Sequence, residues 1–165
     1  MTRTMARTTT TLFLLLILAS FGFAQSAGPA ENDLNARFSK ALGTDASKIV
    51  QHYYLMKNGG VIELTAKDPA DHACIVAIQK YLDLQKDLFE RGKNDSDTEI
   101  HGKVPDGLAA LKKLRGDITF FTVKDDNGAV LRMLTVSDQA RQAIQDFMKF
   151  QINEHKTGDP LTAEE

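Results

Sequence analysis

Residues 49–65 read Ile-Val-Gln-His-Tyr-Tyr-Leu-Met-Lys-Asn-Gly-Gly-Val-Ile-Glu-Leu-Thr. β-Branched and aromatic residues flank Asn58-Gly59-Gly60 on both sides. Asn-Gly between such runs predicts a β-hairpin, because both residues tolerate the positive φ of a tight turn. The pattern returns from Ile118 to Thr135, around Asp126-Asn127-Gly128. Ile49 stands ten residues before Gly59 and Ile118 ten before Gly128, and Val61 and Val130 each follow their glycine by two.

A long amphipathic helix is expected after each hairpin. The first starts at Asp68-Pro69, where Asp68 can cap free N–H groups and Pro69 suits the first helical position. Ile75, Ile78, Leu82, Leu88 and Phe89 follow at near-helical spacing, and Gly92 is the expected stop. The second starts at Ser137-Asp138, carries Ala140, Ala143, Ile144, Phe147, Met148 and Ile152, and is expected to stop near Gly158. Ile78-Gln79 and Ile144-Gln145, Tyr81 and Phe147, Gln85 and Gln151, and Gly92 and Gly158 all share an offset of 66. Short helices precede the hairpins, marked by Leu34, Phe38 and Leu42 and by Leu108, Leu111 and Leu114. The unit is therefore α-β-β-α, written twice, and we read it as a duplication. One hairpin and one helix make a marginal core. The expected fold is α+β, with one antiparallel four-stranded sheet and two long helices packed on one face. Repeat one spans 32–92, a polar linker 93–105 and repeat two 106–159. Residues 25–31 and 160–165 read as disordered ends.

The ends of the chain carry a different message. Arg3 and Arg7 precede an apolar run from Leu12 to Ala24, and no acidic residue occurs before Glu31. Residues 1–24 thus read as an export signal, cleaved near Ala24 or Ser26; the run is shorter than the roughly 20 residues of a membrane-spanning helix. Cleavage after Ala24 leaves 141 residues, removes both arginines and no acid, and takes the net charge from −2 to −4. The mature chain is expected to be soluble and periplasmic or secreted, without a membrane span. The near-neutral charge and the lack of a basic, aromatic-laced stripe argue against nucleic-acid binding. A single Cys excludes a disulfide framework and a multi-Cys zinc site. Cys74 lies in the apolar stretch Ala73–Ile78, and we read it as a buried core residue rather than an intermolecular disulfide partner.

Chemistry-bearing residues are few. His52, Tyr54 and Met56 share one face of the first strand, since strand side chains alternate. A His and a Met in an exported chain suggest copper. They lie about 13 Å apart along a strand, too far for one ion to take both. His101, beside Gly102 at the end of the polar linker, is read as a ligand, an acid/base group or a loop anchor. His155 falls in the last turn of the second long helix, where a cation favours the helix dipole, and Gly158 and Pro160 complete a termination signal. His72 is the weakest candidate. No spacing forces two carboxylates together, and no nucleophile elbow, His-Glu-x-x-His helix or phosphate loop is present.

From His52 to Asp159 the chain resembles a group of small exported bacterial proteins of unassigned function. The resemblance rests on His52-Tyr53-Tyr54-Leu55-Met56-Lys57-Asn58-Gly59-Gly60, on Ile100-His101-Gly102 followed by Pro105-Asp106-Gly107-Leu108, and on Gln151 to Pro160. Similar chains often carry His where Tyr81 and Phe147 stand here, which weakens a helix-borne metal site in this one. Some similar chains are labelled aspartate carbamoyltransferase. This chain is too short for the two domains of that enzyme, and its Ser-Thr-Arg-Thr motif is missing.

The resemblance implies an exported fold and no reaction. The expected function is a non-enzymatic domain that binds a small ligand, a metal (copper or zinc) or a protein partner, with His52, Met56, His101 and His155 as candidate contacts. A purely structural or assembly module and an enzyme using His101 as acid/base are the alternatives. Convergence of the three histidines within about 5 Å would favour a metal or catalytic centre.

Overall fold

A computed structural model describes residues 29–163 of the chain. The expected export signal, most of the expected disordered N-terminus and the last two residues lie outside that range. Helix α1 (Pro29–Leu42) and a short 3-10 turn (Ala46–Lys48) lead into strands β1 (Ile49–Met56) and β2 (Gly59–Ala66). Helices α2 (His72–Arg91), α3 (Ser96–His101) and α4 (Leu108–Leu114) follow. After a second 3-10 turn (Arg115–Asp117) come β3 (Thr119–Lys124), β4 (Gly128–Leu134) and α5 (Asp138–His155).

The four strands form one antiparallel sheet in the order β1-β2-β4-β3. The two hairpins therefore join through β2 and β4. The second hairpin repeats the first 69 positions later, Gly59 answering to Gly128 and Leu64 to Met133. In the β2–β4 register Ile62 faces Leu131, its own counterpart at that spacing. A pseudo-twofold axis pierces the sheet between these two side chains.

Both long helices bear on the same face of the sheet, as the α+β pattern predicts. Their allocation is crossed. Helix α2, from the first unit, packs mainly on β3 and β4, while α5 packs on β1 and β2. Tyr53, Ile62, Leu64, Leu131 and Met133 point from the sheet into the helices, where Ile78, Leu82, Ile144, Phe147 and Met148 meet them fully buried. Phe89 joins the two halves: its ring stacks on Phe120 at 5.7 Å and meets Phe147 edge-on at 5.6 Å. Cys74 is a buried free thiol in this core.

The turn glycines have a different physical reason from the one expected. Asn58 and Asn127 keep negative φ, since Lys156 is the one non-glycine residue with positive φ among those described. The hairpins thus do not use the Asn-Gly left-handed turn. Instead, a Cβ on Gly59 would sit 1.9 Å from the Met133 carbonyl oxygen, and one on Gly128 2.1 Å from that of Leu64. These are the same contact, related by the pseudo-axis: each glycine lets the β2 and β4 backbones close where a strand begins. Gly60 faces Ile144 and Met148 of α5, and a Cβ there would also collide.

Four boundaries differ from expectation. Helix α2 starts at His72, not at Asp68-Pro69. Asp68 accepts from the Ala70 N–H in a local turn, and Asp71 caps the Cys74 N–H at 3.0 Å. The Lys67 N–H still bonds the Lys48 carbonyl, so the chain needs residues 68–70 to reverse before a helix can begin. Helix α1 already runs from Pro29, inside the stretch expected to be disordered. The expected linker contains α3, framed by Gly92 and Gly102 in left-handed conformations. Finally, α5 ends on Lys156 with φ 52, not on Gly158. Gly158, also left-handed, instead aims Asp159 at β1. Residues 161–163 carry no helix or strand.

Gly59→Ala and Gly128→Ala are expected to cost about 2–3 kcal/mol each, because a backbone carbonyl cannot swing aside as a side chain can. Urea unfolding of the two variants measures this; a loss below about 0.5 kcal/mol in both would contradict the close approach.

Candidate functional site

Three helices each present two polar side chains one turn apart, and all six point to one place. Such i,i+4 pairs share a helix face. Helix α2 supplies Tyr81 and Gln85, α3 supplies Asp97 and His101, and α5 supplies Gln151 and His155. Strand β1 adds Tyr53 from below. With Phe38 of α1, Phe89 and the sheet side chains Ile62 and Leu64, these residues enclose a cavity of about 20 Å³. That is room for one water molecule or a group of similar size.

Aromatic packing fixes the imidazoles. The His155 ring stacks on Tyr53 at 5.7 Å, meets Phe38 edge-on at 5.3 Å and meets His101 edge-on at 5.1 Å. The His101 ring also abuts Phe150 at 4.9 Å. His101 Nε2 donates to Gln151 Oε1 at 3.0 Å, which leaves Nδ1 as a bare acceptor. The nearest carboxylate oxygen, on Glu154, is 4.0 Å from that nitrogen and cannot donate to it when ionised. His101 Nδ1, His155 Nδ1 and Asp97 Oδ2 are buried with no hydrogen-bond partner. Orphaned buried polar atoms are uncommon and each calls for a physical reason.

Burial sets the charge state. Desolvation pushes Asp97 up to about 7, opposed in part by the Asn94 side chain against its carboxyl and by the Lys112 charge. Desolvation, with a smaller contribution from His101, takes His155 down to about 3. His101 is lowered too, chiefly by burial. The Tyr53 and Tyr81 phenols are held well above their usual range by the same cause. At neutral pH both imidazoles are therefore uncharged, and Asp97 is the one group of the cluster that exchanges a proton.

Of the candidates read from sequence, His101 and His155 meet here and His52 and Met56 do not. His52 leaves β1 on the opposite face from Tyr53. Its Nδ1 lies 2.7 Å from Asp159 Oδ1, while Asp159 Oδ2 accepts from the Tyr53 N–H and the Thr157 hydroxyl. It fastens the C-terminal segment to the sheet edge. Met56 shares the His52 face, and its carbonyl accepts from Gln145 Nε2 at 3.1 Å. His72 is exposed on α2. His101 is not a loop residue but the buried last residue of α3. Among the described residues, no group of three or more His, Cys, Asp or Glu side chains is arranged to hold a metal ion.

Asp97, Asn94, Tyr53, Tyr81, Gln85 and Gln151 were not singled out as site residues by the sequence. A signal for two of them was present. Gln85 and Gln151 are polar residues on otherwise apolar helix faces, at matching positions of the repeat.

The opposed shifts give a pH signature. Asp97, with its pKa raised on folding, contributes stability that is full below about pH 4 and is lost as pH rises through about 7. His155, with its pKa lowered, contributes stability that is full above its ordinary value of 6.5 and is lost as pH falls toward 3. Asp97→Asn is therefore expected to match the wild type near pH 4 and to exceed it by about 4 kcal/mol at pH 8. Urea unfolding at the two pH values checks this, and equal effects at both would contradict it. No protein-family model, curated protein or solved structure matches the chain.

Proposed function

We propose that the chain is an exported, non-enzymatic binding domain whose site is the Asp97–His101–His155 cluster. The observation that carries this reading is the set of orphaned polar atoms around an enclosed, water-sized space. Asp97 Oδ2 and His101 Nδ1 both accept, so the guest is a small donor of hydrogen bonds, of the size and chemistry of ammonium. Phe38, Tyr53 and Tyr81 line the space with aromatic rings, surroundings that suit a small cation. An outer groove lined in part by Asp33, Arg37, Lys103, Glu154 and Lys156 shares His101 with the cavity. Export rests on the sequence of residues 1–24 alone. Nothing in the cluster pairs a nucleophile with a base, and two neutral imidazoles in so small a space leave no room for an organic substrate.

Thermal melting in ammonium chloride, against sodium chloride at equal ionic strength, tests the reading. Ammonium at ten times its dissociation constant is expected to raise the wild-type midpoint by about 3–5 °C. The shift should disappear in Asp97→Asn. No shift beyond sodium would overturn it, leaving the cluster as a packing device that locks three helices together. A shift produced by zinc or copper instead, and lost in His101→Gln and His155→Gln, would replace ammonium with a metal.

A further inference from the structure

The sheet face turned away from α2 and α5 carries no helix among the described residues. Across its four strands one row reads Tyr54, Val61, Arg132 and Phe121. Val50 and Val123 stand exposed on the outer strands of the same face. The face is thus largely apolar and aromatic, with His52, Thr65 and Thr119 toward its margins, Val61 buried between its neighbours and two charges at its centre.

Those two charges are Glu63 and Arg132, which stand 69 residues apart, the hairpin repeat spacing. They occupy equivalent positions on either side of the pseudo-twofold axis and carry opposite charge. Glu63 accepts from the Tyr54 hydroxyl at 3.0 Å and has no cation partner among the described residues. The Arg132 side chain makes no hydrogen bond or ion pair among them. Internal symmetry puts like residues at like places; here it puts a carboxylate opposite a guanidinium, and the two do not pair within the chain.

We propose that this face is the interface of a homodimer in which two copies stack sheet on sheet, each Glu63 paired with Arg132 of the other copy. A twofold interface requires that residue i of one copy meet j of the other while j meets i. A twofold axis lying between the sheets, perpendicular to the line joining Glu63 and Arg132, exchanges the two positions. It lays each carboxylate over the other copy's guanidinium. Face-to-face sheets pack about 10 Å apart, a gap that a Glu and an Arg side chain span together. Tyr54, Phe121 and the valines supply the apolar surround that such a pair needs to gain from being buried. A second copy is favoured over a foreign partner because the charges complement this same face. The interface lies on the far side of the sheet from the His cluster and does not depend on it.

Sedimentation equilibrium of the purified chain tests the proposal. The wild type is expected to be dimeric at tens of micromolar. Glu63→Arg and Arg132→Glu each place like charges in contact in both pairs, and each should weaken the dimer at least tenfold. An equimolar mixture of the two variants restores both pairs and should yield a heterodimer as tight as the wild type. Circular dichroism confirms that each variant is folded; if Arg132→Glu is not, Arg132→Gln with Glu63→Gln serves, each expected to weaken the dimer. A wild type that stays monomeric to about 100 µM, single variants that remain as dimeric as the wild type, or a mixture that remains monomeric would each overturn it.

Discussion

The close pairing of β2 with β4 is the constraint on which the other features depend. It brings together strands from two separate hairpins, and it needs a glycine at each end of the shared ladder. Once those backbones close, the register places Ile62 against Leu131 and fixes the sheet about that pair. The helices then have one face to cover. Each crosses to the hairpin of the other unit, because the chain leaving β2 reverses through residues 68–70 and enters α2 beside β4. Burial of the apolar helix faces follows from this geometry. The hairpin alone would not supply it.

The same crossing creates the buried polar cluster. α2 and α5 cover different hairpins, and α3 and α1 close the space left beside β1. Apolar residues there would have filled it. The chain instead sends a carboxyl, two imidazoles, two amides and two phenols, and leaves several of their atoms without partners. In a medium of low polarity such atoms are costly. The lowered imidazole pKa values and the raised carboxyl pKa are the electrostatic face of that cost.

Much of the fold is legible in the sequence, and the site is much less so. The hairpins, the long helices and the one-face packing follow from local patterns of alternation and helical period, and these survive folding unchanged. The errors fall where two local signals compete. Asp68 and Asp71 can each cap a helix, and sheet length, invisible locally, chooses the second. Gly158 and Lys156 can each end α5, and the need to deliver Asp159 to β1 sets the outcome. Residues 93–105 look like a solvated linker because Asn94 and Asp97 are polar. Their burial comes from α1 and α5, some 40 residues or more away in the chain, and no local pattern encodes it. His101 and His155 were visible as residues; that His52 sits on the other side of the strand follows only from the pleat, which turns Tyr53, not His52, toward the helices.

The crossed helices also govern when a core can exist at all. Strands β1 and β2 are covered by a helix that ends at His155 of a 165-residue chain. A chain emerging from its N-terminus has little to lay over its first hairpin until α5 arrives. Its first half stays an uncovered hairpin, marginal in water. Such a polypeptide completes its packed core only once α5 has been made.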